Sequence, residues 1–125
     1  MIRSDYQSYL SNLKAALKAN SLSYIELSEE ELNAKLQLNN GWMLELDCER
    51  YGSGVTVLIQ FKDLGLQKGY AVWLLMRAVE SLTGKSFGKP TVANQVRFLE
   101  KEGEDLLRNL PMYEVEYSRL NESLF

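Results

Sequence analysis

Trp42-Met43-Leu44-Glu45-Leu46-Asp47-Cys48-Glu49-Arg50-Tyr51-Gly52-Ser53-Gly54-Val55-Thr56-Val57-Leu58-Ile59-Gln60-Phe61 is the stretch on which the fold turns. Apolar and polar residues alternate on both sides of a Gly-Ser-Gly turn, the period of half-buried strands. A two-residue loop at Gly52-Ser53 pairs Cys48 with Val57, Leu46 with Ile59 and Leu44 with Phe61, and glycine at its first position suits a type II′ turn.

The alternation extends upstream. Before Trp42 stand Asn39-Asn40-Gly41. A three-residue loop there pairs Leu38 with Trp42 and Leu36 with Leu44, and sets Gly41 where a positive φ is needed. It also puts Lys35 opposite Glu45. Further up, a four-residue loop of Ser28-Glu29-Glu30-Glu31 pairs Leu27 with Leu32 and Ile25 with Ala34. The alternative for residues 28–32 is a short helix capped by Ser28 with Glu31 as its box partner. With the loop, residues 22–62 form a four-stranded antiparallel meander. Its inner face carries Ile25, Leu27, Leu36, Leu38, Trp42, Leu44, Leu46, Val57, Ile59 and Phe61.

Helical spacing flanks the meander. Ser4 and Gln7 read as a capping box, followed by the stripe Tyr6, Tyr9, Leu10, Leu13 and Leu17, ending near Asn20. Gln67 to Leu82 is apolar nearly all round, as a buried central helix is, and Gly84 is suited to ending it. Thr91 caps a further helix with the stripe Val92, Val96, Leu99, Gly103, Leu106, Leu107 and Leu110. Pro111 either stops it or begins another, and residues 112–124 fit a last helix or an alternating strand. The expected architecture over residues 1–125 is therefore one α+β domain: a helix, a four-stranded meander, then two or three helices on one sheet face.

Composition limits the chemistry. The 125 residues hold no histidine and one cysteine, Cys48, and carry a net charge of −3. His-dependent triads and the usual Cys/His zinc sites are thereby excluded. No phosphate loop or dinucleotide fingerprint is present. Cys48, inward on its strand without a histidine or helix N-terminus beside it, reads as an inert buried thiol. No catalytic residue, cofactor or metal is expected. One cysteine and no visible signal peptide point to the cytoplasm, and the most apolar stretch, Tyr70 to Val79, is too short for a bilayer.

Charge is unevenly spread. Residues 26–50 carry a net −5, residues 62–97 a net +4 and residues 98–125 a net −4. The bases of the middle segment lie on a loop and a buried helix rather than on a stripe, so nucleic acid is not expected as a partner. In the last segment, Glu104–Arg108 and Lys101–Asp105 are spaced for helical charge pairs. Glu45, Asp47 and Glu49 alternate along one strand and share the outward face, roughly 6.5–7 Å apart. Such carboxylates could serve hydrolysis of a glycoside, but they also describe the polar side of an open sheet. On this register Glu26 is a further acid of that sheet face, and Tyr24 points outward with Met43 and Leu58, a mixture found both at interfaces and among scattered surface residues. The partner-binding set is accordingly Glu45, Asp47, Glu49, Tyr24, Met43 and Glu26, with the acidic segment from Glu100 to Glu122 as the competing surface.

With its short acidic chain, a sheet followed by helices, and the late helix Val96-Arg97-Phe98-Leu99-Glu100-Lys101-Glu102-Gly103-Glu104-Asp105-Leu106-Leu107, the protein resembles the small immunity proteins of bacterial polymorphic toxin systems, including contact-dependent growth inhibition. The resemblance lies in overall design and no specific motif. It implies a non-catalytic, stoichiometric inhibitor that occupies a cognate toxin, often a basic nuclease, through an acidic surface. The alternative is a small acidic secretion chaperone that holds an unfolded effector segment. Oligomeric state is left open.

Overall fold

In the computed structural model, which describes residues 1–61 and 69–124, the alternation of residues 24–60 folds as antiparallel sheet and the helical stripes fold as helices. A 3-10 turn, Ser4–Tyr6, leads into α1, Gln7–Ala19. Strands β1 Tyr24–Glu29, β2 Asn33–Leu38, β3 Met43–Cys48 and β4 Val55–Gln60 follow. Then come β5 Tyr70–Ala71, α2 Val72–Thr83, α3 Val92–Arg108 and α4 Leu110–Ser123. The protein is α+β, with a five-stranded sheet in the order β1-β2-β3-β4-β5.

The β2–β3 hairpin has the expected register: Leu36 faces Leu44, Lys35 faces Glu45, and Gly41 adopts φ 93°. The β3–β4 hairpin is slipped by two residues. Cys48 faces Val55, not Val57, and Leu44 faces Ile59, not Phe61. A four-residue loop of residues 50–53 takes the place of the two-residue turn, closed by the Glu49 N–H on the Gly54 carbonyl at 3.0 Å. An even slip preserves which face each residue occupies, so Leu44, Leu46, Cys48, Val57 and Ile59 are all buried as expected.

The longer loop is held from outside. Tyr6 Oη donates towards the carbonyls of Glu49 and Gly52 at 2.5 and 2.9 Å, and the Arg3 guanidinium donates to the carbonyl of Arg50 at 2.9 Å. The Glu49 carboxylate folds back to accept the Gly54 N–H at 3.2 Å. A Cβ on Gly54 would lie 2.6 Å from that carboxylate, so this glycine makes room for a side chain rather than supplying a positive φ.

Strand β1 contradicts the expected pairing. Tyr24 faces Leu38, Ile25 faces Gln37 and Glu26 faces Leu36; then a bulge brings Ser28 opposite Lys35. The odd shift inverts the strand. Tyr24 and Glu26 turn to the helix side, where Tyr24 packs against the core and Glu26 meets Lys14 of α1 in an ion pair. Ile25 and Leu27 turn outward, 62% and 47% exposed. The turn to β2 is tight, with the Glu30 N–H donating to the Asn33 carbonyl at 2.7 Å, and residues 28–32 form no helix.

At the other edge, Tyr70 and Ala71 extend the sheet against Ile59 and Leu58 instead of opening the following helix. Ala71 N–H donates to Tyr117 Oη at 2.9 Å, which closes this edge and delays α2 to Val72. The expected helical residues 67 and 68 lie outside the described residues. Gly84 ends α2 at φ 77°, and Thr91 Oγ1 accepts the Asn94 N–H as the cap of α3. Pro111 begins α4, so residues 112–123 are helical. The Ser4 capping box is not formed. The chain enters through the 3-10 turn with no side-chain cap, and Tyr9 points out of the core.

Helix α1 packs on α3 and α2 on α4. Between helices and sheet runs an aromatic series: Trp42–Phe61, Phe61–Tyr70 and Tyr70–Tyr117, with ring centroids 5.2, 6.1 and 5.4 Å apart.

Candidate binding surface

Period-two alternation gives the sheet one buried face and one open face. On β3 the open face shows Met43, Glu45 and Asp47. Across β4 their neighbours are Gln60, Leu58 and Thr56; across β2 they are Gln37, Lys35 and Asn33. All of these are partly or fully exposed. The inverted β1 adds Ile25 beside Gln37, and Leu27 at the bulge.

Of the expected partner-binding set, Met43, Glu45 and Asp47 share this face. Glu49 does not belong to it, because it lies past the end of β3 and its carboxylate is committed to Gly54 N–H. Tyr24 and Glu26 lie on the opposite, helix-covered side at the β1 margin. Lys35 faces Glu45 across the strands as expected, but the Glu45 carboxylate accepts a hydrogen bond from Asn33 Nδ2, and no ion pair joins it to Lys35 among the described residues. The open face is therefore less acidic and more apolar than expected. Two carboxylates stand beside Ile25, Leu27, Met43 and Leu58. Missing Ile25 and Leu27 followed from the odd register shift; the one sequence signal for it was that Tyr24 can cover core as well as an isoleucine can.

The β3–β4 loop projects Tyr51, 96% exposed, from a backbone held by Tyr6, Arg3 and Glu49. An exposed aromatic on an already ordered loop loses little entropy when it docks.

The competing acidic segment is largely occupied with structure. Glu116 is 8% exposed, bound by Ser81 Oγ and the Arg119 guanidinium, and these partners, Arg119 first, hold its carboxyl down at about 2. Glu114 accepts from Tyr70 Oη at 3.1 Å; burial foremost, then this carboxylate, pushes the Tyr70 phenol up to about 12. Glu102 binds Lys85 at 3.1 Å. The expected pairs Glu104–Arg108 and Lys101–Asp105 are not formed among the described residues. Asp105 instead accepts from Asn109 Nδ2 and Tyr113 Oη, at 3.1 and 3.4 Å, bracing the α3–α4 corner.

Cys48 is buried and free, and burial raises its thiol pKa. Among the described residues no three His, Cys, Asp or Glu side chains cluster so as to hold a metal ion. No described helix is long and apolar enough to cross a membrane. Of the bases of the middle segment, Arg77 binds Glu80 and Lys85 binds Glu102, while Lys62 and Lys68 lie outside the described residues. No family model, curated protein or solved structure matches the chain.

Proposed function

We propose that this chain is a non-catalytic binding protein of the immunity type, which neutralises a cognate basic toxin domain by stoichiometric contact through its open sheet face. The observation that carries this reading is the make-up of that face: exposed Ile25 and Leu27 and half-buried Met43 around Glu45 and Asp47, on a sheet whose other side is core. Apolar side chains supply the desolvated centre of an interface and carboxylates the long-range attraction for a basic partner. Such inhibition needs no catalytic group, in keeping with a chain that lacks histidine.

The test is co-expression with the polypeptide encoded by the adjacent reading frame. The expected result is relief of that polypeptide's toxicity and a one-to-one complex with its folded domain. Absence of both overturns the proposal. A complex only with an unfolded segment favours the secretion-chaperone alternative, for which the exposed Ile25 and Leu27 would serve as contacts.

A further inference from the structure

The two edges of the sheet are finished differently. At β5, Ala71 N–H is taken by Tyr117 Oη. At β1, the Asn39 N–H donates to the Ser23 carbonyl at 3.0 Å, which makes Ser23–Asn39 a hydrogen-bonded pair. Antiparallel pairing alternates, so Ile25 bonds to Gln37 while the N–H and C=O groups of Tyr24 and Glu26 point away from the sheet. Beyond the bulge the same alternation turns Glu29 outward, and there the chain covers its own edge: Met1 N donates to the Glu29 carbonyl at 3.3 Å, and Arg3 N–H to the Glu31 carbonyl at 2.8 Å. No described residue does this for Tyr24 and Glu26. This open stretch carries Ile25 and Leu27 on its outer side, and two depressions flank its start, one of about 380 Å³ beside Ile25 and Gln37 and one of about 280 Å³ beside Ser21 and Leu22.

We infer that the β1 edge from Ser23 to Leu27 receives an extended basic segment of the partner as a sixth strand. The inference rests on the reading of the chain as a binding protein and names the piece of the partner it would hold. The outward amides of Tyr24 and Glu26 supply the ladder, and alternate apolar side chains of the segment lie beside Ile25 and Leu27. Charge decides the occupant. Every ionised side chain of β1 and its turn is an acid, namely Glu26, Glu29, Glu30 and Glu31; Lys14 pairs with Glu26, and the terminal ammonium and Arg3 lie beside Glu29 and Glu31, so the balance of the strand stays acidic. A second copy pairing edge to edge would bring these acids against themselves, whereas a basic segment meets them with opposite charge.

The probe is an acetylated, amidated peptide of alternating valine and lysine, with an alternating valine and glutamate peptide as control. The readout is amide hydrogen exchange by NMR. The lysine peptide is expected to slow exchange at Tyr24 and Glu26 by about tenfold or more, while Ile25, already paired, changes little. Glu26→Pro, which removes the outward N–H together with the Lys14 ion pair, is expected to abolish the protection at Tyr24, while Glu26→Gln, which removes the charge alone, keeps it; Ile25→Lys covers the case in which the proline variant does not fold. Unchanged exchange at both amides, equal protection by the glutamate peptide, or protection that grows with protein concentration alone each overturn the inference. If the complex with the adjacent-frame product forms while these two amides exchange freely, strand addition fails and the binding-protein reading stands. If no complex forms but the lysine peptide protects both amides, the reverse holds.

Discussion

The Trp42 ring lies against the bare Cα of Gly103: a Cβ there would sit 2.5 Å from Cη2 and 2.7 Å from Cζ3 of the indole. Trp42 ends the β2–β3 turn and Gly103 lies in the middle of α3, so this contact registers helix against sheet. The ring is buried and packed edge-on against Phe61, so making room for a methyl group means moving a packed side chain.

Gly103→Ala is therefore expected to destabilise the protein by about 1–3 kcal/mol, the range for overpacking a core, although alanine is the better helix former. Denaturant unfolding measures it. Combining the change with Trp42→Phe is expected to cost less than the two single effects added, because the second substitution removes the obstructing ring.

Tyr6→Phe keeps the buried ring and removes its hydroxyl from the carbonyls of Glu49 and Gly52. The melting temperature is expected to fall by a few degrees, and exchange at the amides of residues 50–53 to quicken selectively. Uniform quickening along β3 and β4 would mean that the hydroxyl does not hold the loop.

Cys48 is expected to react slowly with a thiol reagent in the native protein and rapidly in denaturant, since it is buried and its thiolate disfavoured. Cys48→Ser is expected to cost about 1–3 kcal/mol by burying a poorly satisfied hydroxyl. Fast native labelling would contradict the inner-face placement.

Two groups carry the largest shifts, one at each end of the pH range. Glu116 is held down at about 2 by Arg119 and Ser81, from an ordinary value of 4.5. A lowered carboxyl contributes stability above its unfolded value and loses it as pH falls through the folded one. The loss therefore runs from about pH 4.5 to 2, and Glu116→Gln is expected to flatten it. Tyr70 is raised to about 12 from 10, so its contribution is complete below pH 10 and is lost as pH rises towards 12. Tyr70→Phe is expected to reduce that alkaline slope, leaving the part due to buried Tyr6 and Tyr113, and thermal melts across both ranges measure both effects.

Much of this fold is legible in the sequence. Gly41 announces the β2–β3 turn through its positive φ, and that register follows without error. The β3–β4 register misses by two because what lengthens the loop, Tyr6 and Arg3, lies more than forty residues away and has no local signature. Parity survives an even slip, so the buried face follows from the alternation all the same. At β1 parity does not survive, because a bulge and a distant lysine, Lys14, decide which side Glu26 takes. The binding set divides along the same line: Met43, Glu45 and Asp47 sit on well-registered β3, while Tyr24, Glu26 and Glu49 depend on the two misjudged turns. Two residues of β5 are too few to show a period against the helical pattern that follows them.

The central claim is that the open sheet face, with Glu45 and Asp47 at its middle, contacts a basic partner. Stopped-flow association with the adjacent-frame product, comparing wild type with Glu45→Lys/Asp47→Lys at low and high salt, tests it most directly. Reversing both charges is expected to slow association by about tenfold or more at low salt, with the difference shrinking as salt screens the field. Asp47 is exposed, whereas Glu45 is half-buried and hydrogen-bonded to Asn33, so the double reversal is expected to cost about 1–3 kcal/mol, mainly at Glu45. An unchanged association rate at low salt, in a variant that remains folded, would contradict the claim.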